Sequence, residues 1–156
     1  MSITDEMRRA LENSVQAEQN AHDFYAAAAK KVNNGALSEL FEKLAGDELG
    51  HRDFLKKLLA DNAPPMTIKP QAVDYHLAEE IIADKPDLTV DMPFDEAIAL
   101  AIKREEEAMA TYETLARDAA GDNELRTLFI NLKNMEQSHK TALESIYMNV
   151  AFAEVW

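Results

Sequence analysis

Apolar residues recur every three or four positions over both ends of the chain, which is the pattern of amphipathic helices. Near the N-terminus the stripe includes Leu11, Val15 and Tyr25, and most of the positions between them are charged or polar. All five prolines lie between residues 64 and 93, while the flanking stretches are rich in Ala, Leu, Glu and Lys. The pattern therefore predicts two long helical blocks on either side of a proline-marked middle.

Each block contains one strong turn signal. Asn33-Asn34-Gly35 divides the first block, and Gly121-Asp122 divides the second, where Asp122 is a suitable N-cap. These signals predict four helices, at about residues 4–33, 36–61, from Pro93 to 121 and from 122 to 150. A short amphipathic helix is also predicted in the middle, over residues 72–83.

The predicted elements form two antiparallel hairpins joined by one long connection, over about residues 62–93. An all-α, ferritin-like four-helix bundle has this arrangement, with one long crossover between its second and third helices. A plain up-down bundle is the alternative, but it uses short loops throughout. A chain of 156 residues is expected to fold as a single domain, residues 1–156.

The two halves of the sequence resemble each other, so helices one and two match helices three and four. Seven residues around the second helix recur 88 positions later with the same or similar side chains: Leu40, Phe41, Leu44, Glu48, His51, Leu55 and Leu58 match Leu128, Phe129, Leu132, Glu136, His139, Leu143 and Ile146. Glu18, Tyr25 and Ala29 recur 87 positions later. The change of offset falls in the turn region, where a change of length is tolerated.

Charge and composition exclude several functional classes. The formal net charge is −13, which disfavours nucleic acid and anionic membranes as partners. No apolar run approaches the roughly 18 residues of a transmembrane helix, and the N-terminus lacks the pattern of a secretory signal. The sequence contains no cysteine, which excludes disulfides and thiolate-bound metals. We therefore expect a soluble, cytoplasmic protein.

Two Glu-x-x-His motifs carry the candidate chemistry. Glu48 precedes His51 and Glu136 precedes His139 by three positions, which places each pair on one helix face. A carboxylate and an imidazole so placed can bind one transition metal. Each of these glutamates interrupts an apolar stripe, as Glu18 does in the first helix, and a buried carboxylate is costly unless a cation compensates it.

The positions of the glutamates along the hairpins also match. Glu18 and Glu48 lie equally far from the first turn, and Glu105 and Glu136 lie equally far from the second. At 1.5 Å per residue each is roughly 22 Å from its turn, so all four can lie at one level. One Glu from each of two helices and one Glu-x-x-His from each of the other two is the ligand set of ferritin-like di-iron and di-manganese sites.

On these residues the sequence resembles the rubrerythrin-like branch of the ferritin-like superfamily. The resemblance covers the four helices, including the segment from Phe94 to Leu115, which is similar to a third helix of that branch. It implies that two metal ions, usually iron, bind to six residues: Glu18, Glu48, His51, Glu105, Glu136 and His139. In that assignment Glu48 and Glu136 bridge the metals, each histidine binds one metal, and Glu18 and Glu105 are terminal ligands. Manganese and zinc suit the same residues.

Two departures from rubrerythrin bear on activity. The absence of cysteine excludes the four-cysteine iron site of its electron-supplying domain, so a separate electron donor is expected. Ala108 stands where rubrerythrins carry a further glutamate, which puts their peroxide-reductase mechanism in question. The resemblance implies a homodimer and a non-haem di-iron oxidoreductase acting on peroxide or oxygen. The alternatives are a ferroxidase or iron storage or delivery protein, and a metal-stabilised helical interaction module.

The sequence alone allows more than one interpretation of several residues. Tyr25 and Tyr112 either hydrogen-bond the ligand carboxylates or simply fill the core. His22 is either a further ligand or proton shuttle, or a structural histidine, and the latter is favoured because its repeat partner is Met109. The six-residue set itself has a metal-free alternative, with protonated or paired carboxylates.

Two further features on the helices are open. Gly46 and Gly50 flank Glu48 and indicate either close helix approach, including at a dimer interface, or a gap that admits oxygen or peroxide. Glu106 and Glu107 are expected to be solvated partners of Lys103 and Arg104.

Overall fold

Four α-helices form the described part of a computed structural model, which covers residues 3–32, 35–60 and 93–153. They are α1 (Asp5–Lys31), α2 (Gly35–Ala60), α3 (Phe94–Asp118) and α4 (Asn123–Ala153). The predicted helix bounds are confirmed to within three residues at every end. The short helix predicted over 72–83 lies outside the described residues.

Side-chain caps explain where two of the helices begin. The Thr4 hydroxyl accepts a hydrogen bond from the Met7 backbone N–H at 3.1 Å, and α1 begins at the next residue. The Asp122 carboxylate accepts from the Leu125 N–H at 3.1 Å, so the predicted cap of α4 is confirmed. Such a bond satisfies one of the backbone donors that have no partner within the first turn of a helix.

The chain divides into two compact units, residues 1–65 and 66–156. The first unit contains hairpin 1, in which α1 packs on α2, and the second contains hairpin 2, in which α3 packs on α4. The repeated apolar positions are buried in both hairpins except Leu40, which is half-buried; Phe41 and Phe129, which occupy equivalent positions, are each 0 % exposed. The internal repeat in the sequence therefore corresponds to two hairpins with equivalent buried faces.

Three contacts fix the register of hairpin 1. Arg8 Nη1 donates to the Leu59 carbonyl at 3.1 Å, far from the turn. The Ser38 hydroxyl donates to the Ala29 carbonyl at 2.7 Å, close to the turn. The ring of Tyr25 stacks on Phe41 with centroids 6.2 Å apart. Each contact joins residues nearly equidistant from the turn, so α1 and α2 run antiparallel without slippage along their length.

No described helix has an apolar stretch long enough to cross a membrane. The helices carry charged residues throughout their exposed faces, which is why each one is amphipathic rather than uniformly apolar.

The two glycines inside α2 lie on its exposed face. A Cβ atom built on Gly46 or Gly50 meets nothing within 4 Å among the described residues. Close packing within the described part of the chain therefore does not explain them, and each lowers the helix propensity of α2.

We predict that Gly46→Ala and Gly50→Ala each raise the free energy of unfolding by about 0.5–1 kcal/mol, because alanine favours helix and meets open space here. Urea unfolding followed by circular dichroism measures the change. Gly121→Ala, in the turn between α3 and α4, is the control and should change stability by less than about 0.5 kcal/mol. A loss of stability in the α2 variants would instead indicate that a second chain packs against these glycines.

Candidate metal centre

Hairpin 1 brings together one predicted half of the metal site. Glu18 projects from α1, and Glu48 and His51 project from α2. His51 Nδ1 lies 3.6 Å from Glu18 Oε2 and 3.8 Å from Glu48 Oε1. The three residues are at most 3 % exposed, and one ligand atom from each lies within 4.8 Å of the others. We refer to Glu18, Glu48 and His51 as half-site 1.

Hairpin 2 contains the equivalent arrangement. Glu105 projects from α3, and Glu136 and His139 project from α4. His139 Nδ1 lies 3.5 Å from Glu105 Oε1 and 3.9 Å from Glu136 Oε2. These three residues are also at most 3 % exposed, and their ligand atoms cluster within 4.8 Å. We refer to Glu105, Glu136 and His139 as half-site 2.

Two local rules create each half-site. The spacing of three residues places the glutamate and histidine of α2, and those of α4, on one helix face. Glu18 lies beside Glu48 because both residues are equally far from the first turn. Glu105 lies beside Glu136 for the same reason at the second turn. The sequence-based pairing of Glu18 with the Glu48 motif, and of Glu105 with the Glu136 motif, is therefore confirmed within each hairpin.

The donor atoms of each half-site suit one transition metal ion. Each half-site offers two carboxylates and one imidazole, which are ligands of iron, manganese and zinc. Each histidine Nδ1 lies 3.5–3.9 Å from its two carboxylate oxygens, which is short enough for one ion to contact these atoms with bonds of about 2.0–2.2 Å. Two carboxylates buried together are also unfavourable unless a positive charge or a proton accompanies them, and a bound cation supplies that charge.

The two predicted tyrosines lie in the core. Tyr25 is 2 % exposed and Tyr112 is 1 % exposed. The ring of Tyr25 contacts Phe24 edge-on at 5.5 Å as well as stacking on Phe41, so it fills space between α1 and α2. Their suggested hydrogen bonds to the ligand carboxylates stay a prediction.

His22 has the structural role that the sequence favoured. Its Nδ1 lies 2.9 Å from the Ala45 carbonyl, which can only accept, so Nδ1 carries the proton. This bond joins α1 to α2 about one turn from Glu18 and Glu48. His22 is half-buried and does not belong to the clusters of metal-binding type among the described residues.

Sequence reasoning missed two buried charges in hairpin 2. Lys140 is 1 % exposed and Glu144 is 0 % exposed. Lys140 Nζ lies 2.7 Å from Glu106 Oε2, so the expected pairing of Glu106 with Lys103 and Arg104 is wrong. The signal was the spacing of four residues from Glu136 to Lys140 and Glu144, which places them along one side of α4.

Comparison with known proteins identifies the family. The family model described as Rubrerythrin matches residues 9–147, a range that includes both half-sites. No curated protein and no solved structure gives a significant match. The match spans most of the chain, so this protein belongs to the rubrerythrin family, and the predicted all-α, ferritin-like fold class is confirmed.

We predict that Glu105→Gln stabilises the metal-free protein by roughly 1 kcal/mol or more at neutral pH, because it removes a buried charge and nearly preserves shape. Urea unfolding in the presence of a chelator measures this change. Glu113→Gln on the same helix is the control, since Glu113 is 52 % exposed and pairs with Lys133 at the surface; its effect should stay below about 1 kcal/mol. A marked loss of stability in Glu105→Gln would show that protein contacts, rather than a cation, compensate this carboxylate.

Proposed function

We propose that this rubrerythrin-family protein is a non-haem di-iron oxidoreductase that acts on peroxide or oxygen. The observation that carries the proposal is the duplicated, buried set of two carboxylates and one imidazole, present once in each hairpin. A single such set could be a structural zinc site, but two equivalent sets within the range of the family match favour a dinuclear centre.

The proposed centre combines the two half-sites. His51 and His139 each bind one metal ion, and Glu18 and Glu105 are the terminal carboxylates. Glu48 and Glu136 would be shared between the two ions, which is the assignment that the family resemblance implies. Iron is the proposed metal because the family usually binds it, although the donor atoms also suit manganese and zinc.

The protein residues prepare the site for two-electron chemistry. Two ferrous ions supply two electrons, and reduction of one peroxide molecule to two water molecules consumes these electrons and two protons. The four glutamates would hold the metal ions and balance their charge. The apolar residues around them, including Leu44 and Leu132, exclude bulk water. We propose that the hydroxyls of Tyr25 and Tyr112 orient the carboxylates.

Three parts of the proposal follow from the sequence and the family. Ala108, which is half-buried, supplies no ligand where rubrerythrins carry a further glutamate, so we propose six ligands. An external electron donor returns the centre to the ferrous state. We further propose a cytoplasmic homodimer.

We predict that the protein reconstituted anaerobically with ferrous iron binds about two iron ions per chain. The double variant His51→Ala, His139→Ala should bind almost none, because each half-site loses its only nitrogen ligand. His22→Ala is the matched control and should retain about two ions, since the His22 ring bonds a backbone carbonyl. Elemental analysis after gel filtration measures the content. Equal iron in the wild type and the double variant would contradict the proposed centre.

We also predict that the di-ferrous protein reacts with one equivalent of peroxide, with an absorbance change on rapid mixing that the double variant lacks. A protein that binds two iron ions without this change would not be a peroxide-reacting enzyme, and the same experiment with oxygen tests the other substrate.

The net charge of −13 also favours attraction of cations, so ferroxidation with storage is the second candidate. Repeated oxidation of added ferrous iron, with a mineral inside a large assembly, would support that second function instead.

A further inference from the structure

A polar contact between helices lies directly beside half-site 1. Arg52 follows His51 on α2, and Gln19 follows Glu18 on α1. Arg52 Nη1 donates a hydrogen bond to Gln19 Oε1. The contact therefore joins the two helices of hairpin 1 one residue away from a candidate ligand on each helix.

A second contact occupies the equivalent place beside half-site 2. Lys140 follows His139 on α4, and Glu106 follows Glu105 on α3. Lys140 Nζ lies 2.7 Å from Glu106 Oε2. Position 106 corresponds to position 19, and position 140 corresponds to position 52, under the same offsets that relate the ligands.

The two contacts differ in charge and burial. In hairpin 1 a cation pairs with a neutral amide, and the side chain of Arg52 is 22 % exposed. The carboxylate nearest to that cation is Asp53, which is 56 % exposed and reaches Arg52 at 2.8 Å. In hairpin 2 the cation is 1 % exposed and its partner is itself a carboxylate.

Both differences, in charge and in burial, favour cation binding at half-site 2 over half-site 1. Among the described residues the charge of Arg52 is offset by Asp53, a solvent-screened surface carboxylate, so it opposes a divalent ion nearby. The charge of Lys140 is offset directly by Glu106, and Glu144, which is 0 % exposed, adds a buried carboxylate on the same helix. The ion pair also joins α3 to α4 beside the candidate ligands, and it is screened less than a fully exposed pair because Lys140 is 1 % exposed, although Glu106 is 36 % exposed.

We propose that Gln19–Arg52 and Glu106–Lys140 are positioning pairs that make the two metal positions unequal, so that half-site 2 binds its metal more tightly and fills first. This inference rests on the proposed dinuclear function, but it concerns residues outside the ligand set. It goes beyond the family assignment because the six ligands alone are equivalent between the two hairpins.

A reciprocal exchange at the equivalent positions tests the proposal. Glu106→Gln gives half-site 2 the cation–amide pair of half-site 1, and Gln19→Glu gives half-site 1 the cation–carboxylate pair of half-site 2. The metal-free protein is titrated anaerobically with Co²⁺ in competition with a chromophoric chelator. His51→Ala and His139→Ala each remove the histidine of one half-site. The visible absorption band that each variant loses is therefore assigned to the ion at that half-site.

In the wild type, we expect two Co²⁺ ions per chain, with the tighter ion absent from His139→Ala. Glu106→Gln should weaken the tighter position by roughly tenfold, and Gln19→Glu should strengthen the weaker position. Two ions of equal affinity, or affinities that neither exchange alters, would overturn the inference while leaving the proposed dinuclear site intact. A wild type that binds no Co²⁺ would overturn the proposed function and the inference with it.

Thermal unfolding of the metal-free variants separates positioning from simple stabilisation. A purely structural pair would lower the melting temperature of Glu106→Gln and leave the ratio of the two affinities unchanged, a result that overturns the inference. If Glu106→Gln does not fold, Gln19→Glu decides alone, because position 19 is only half-buried and its variant should tighten the weaker position.

Discussion

The burial of carboxylates in mid-helix is the constraint on which the rest of each hairpin depends. In hairpin 1, Glu18 and Glu48 lie within a mostly apolar buried face, and each is at most 3 % exposed. Transfer of an ionised carboxylate into such surroundings costs several kcal/mol when no charge accompanies it. A histidine one turn along α2 contributes a donor atom but no fixed charge, so the arrangement is favourable as a cation site and unfavourable as a plain core. The apolar residues above and below these candidate ligands supply packing that stabilises the hairpin independently of a cation.

The turn position determines whether the ligands meet. Each glutamate of α1 or α3 finds its partner because the two arms of the hairpin are equally long, and the contacts from Arg8–Leu59 to Ala29–Ser38 show that this register holds from end to end. One residue inserted between a ligand and its turn would rotate that ligand by about 100° and move it off the buried face. An insertion in the turn itself leaves both buried faces intact. The offset of the internal repeat changes from 87 to 88 residues in this turn region.

The sequence predicted the features that depend on local spacing and failed where the choice of partner depends on tertiary packing. The helix bounds and the two Glu-x-x-His faces follow from periodicity and turn signals, and the pairing with Glu18 or Glu105 follows from equal arm lengths. Glu106 shows the limit. Lys103 and Arg104 are close to Glu106 in sequence, yet Glu106 pairs with Lys140 on α4. The packing of α3 on α4 brings Lys140 beside Glu106, next to half-site 2. The burial of Glu144 has the same origin, since a spacing of four residues indicates a shared helix side but not whether that side is covered.

The repeat also explains how similar ligands can acquire different properties. The six candidate ligands are equivalent between the hairpins, whereas residues close to them in sequence differ: Gln19 corresponds to Glu106, Arg52 to Lys140 and His22 to Met109. Of these, His22 contributes a bond to the Ala45 carbonyl that its repeat partner, a methionine, has no ring N–H to form. Two identical hairpins from separate chains would necessarily give two identical half-sites. Because one polypeptide encodes both hairpins, the neighbours of each half-site can change independently, and the charge around one half-site can differ from that around the other while every candidate ligand stays the same.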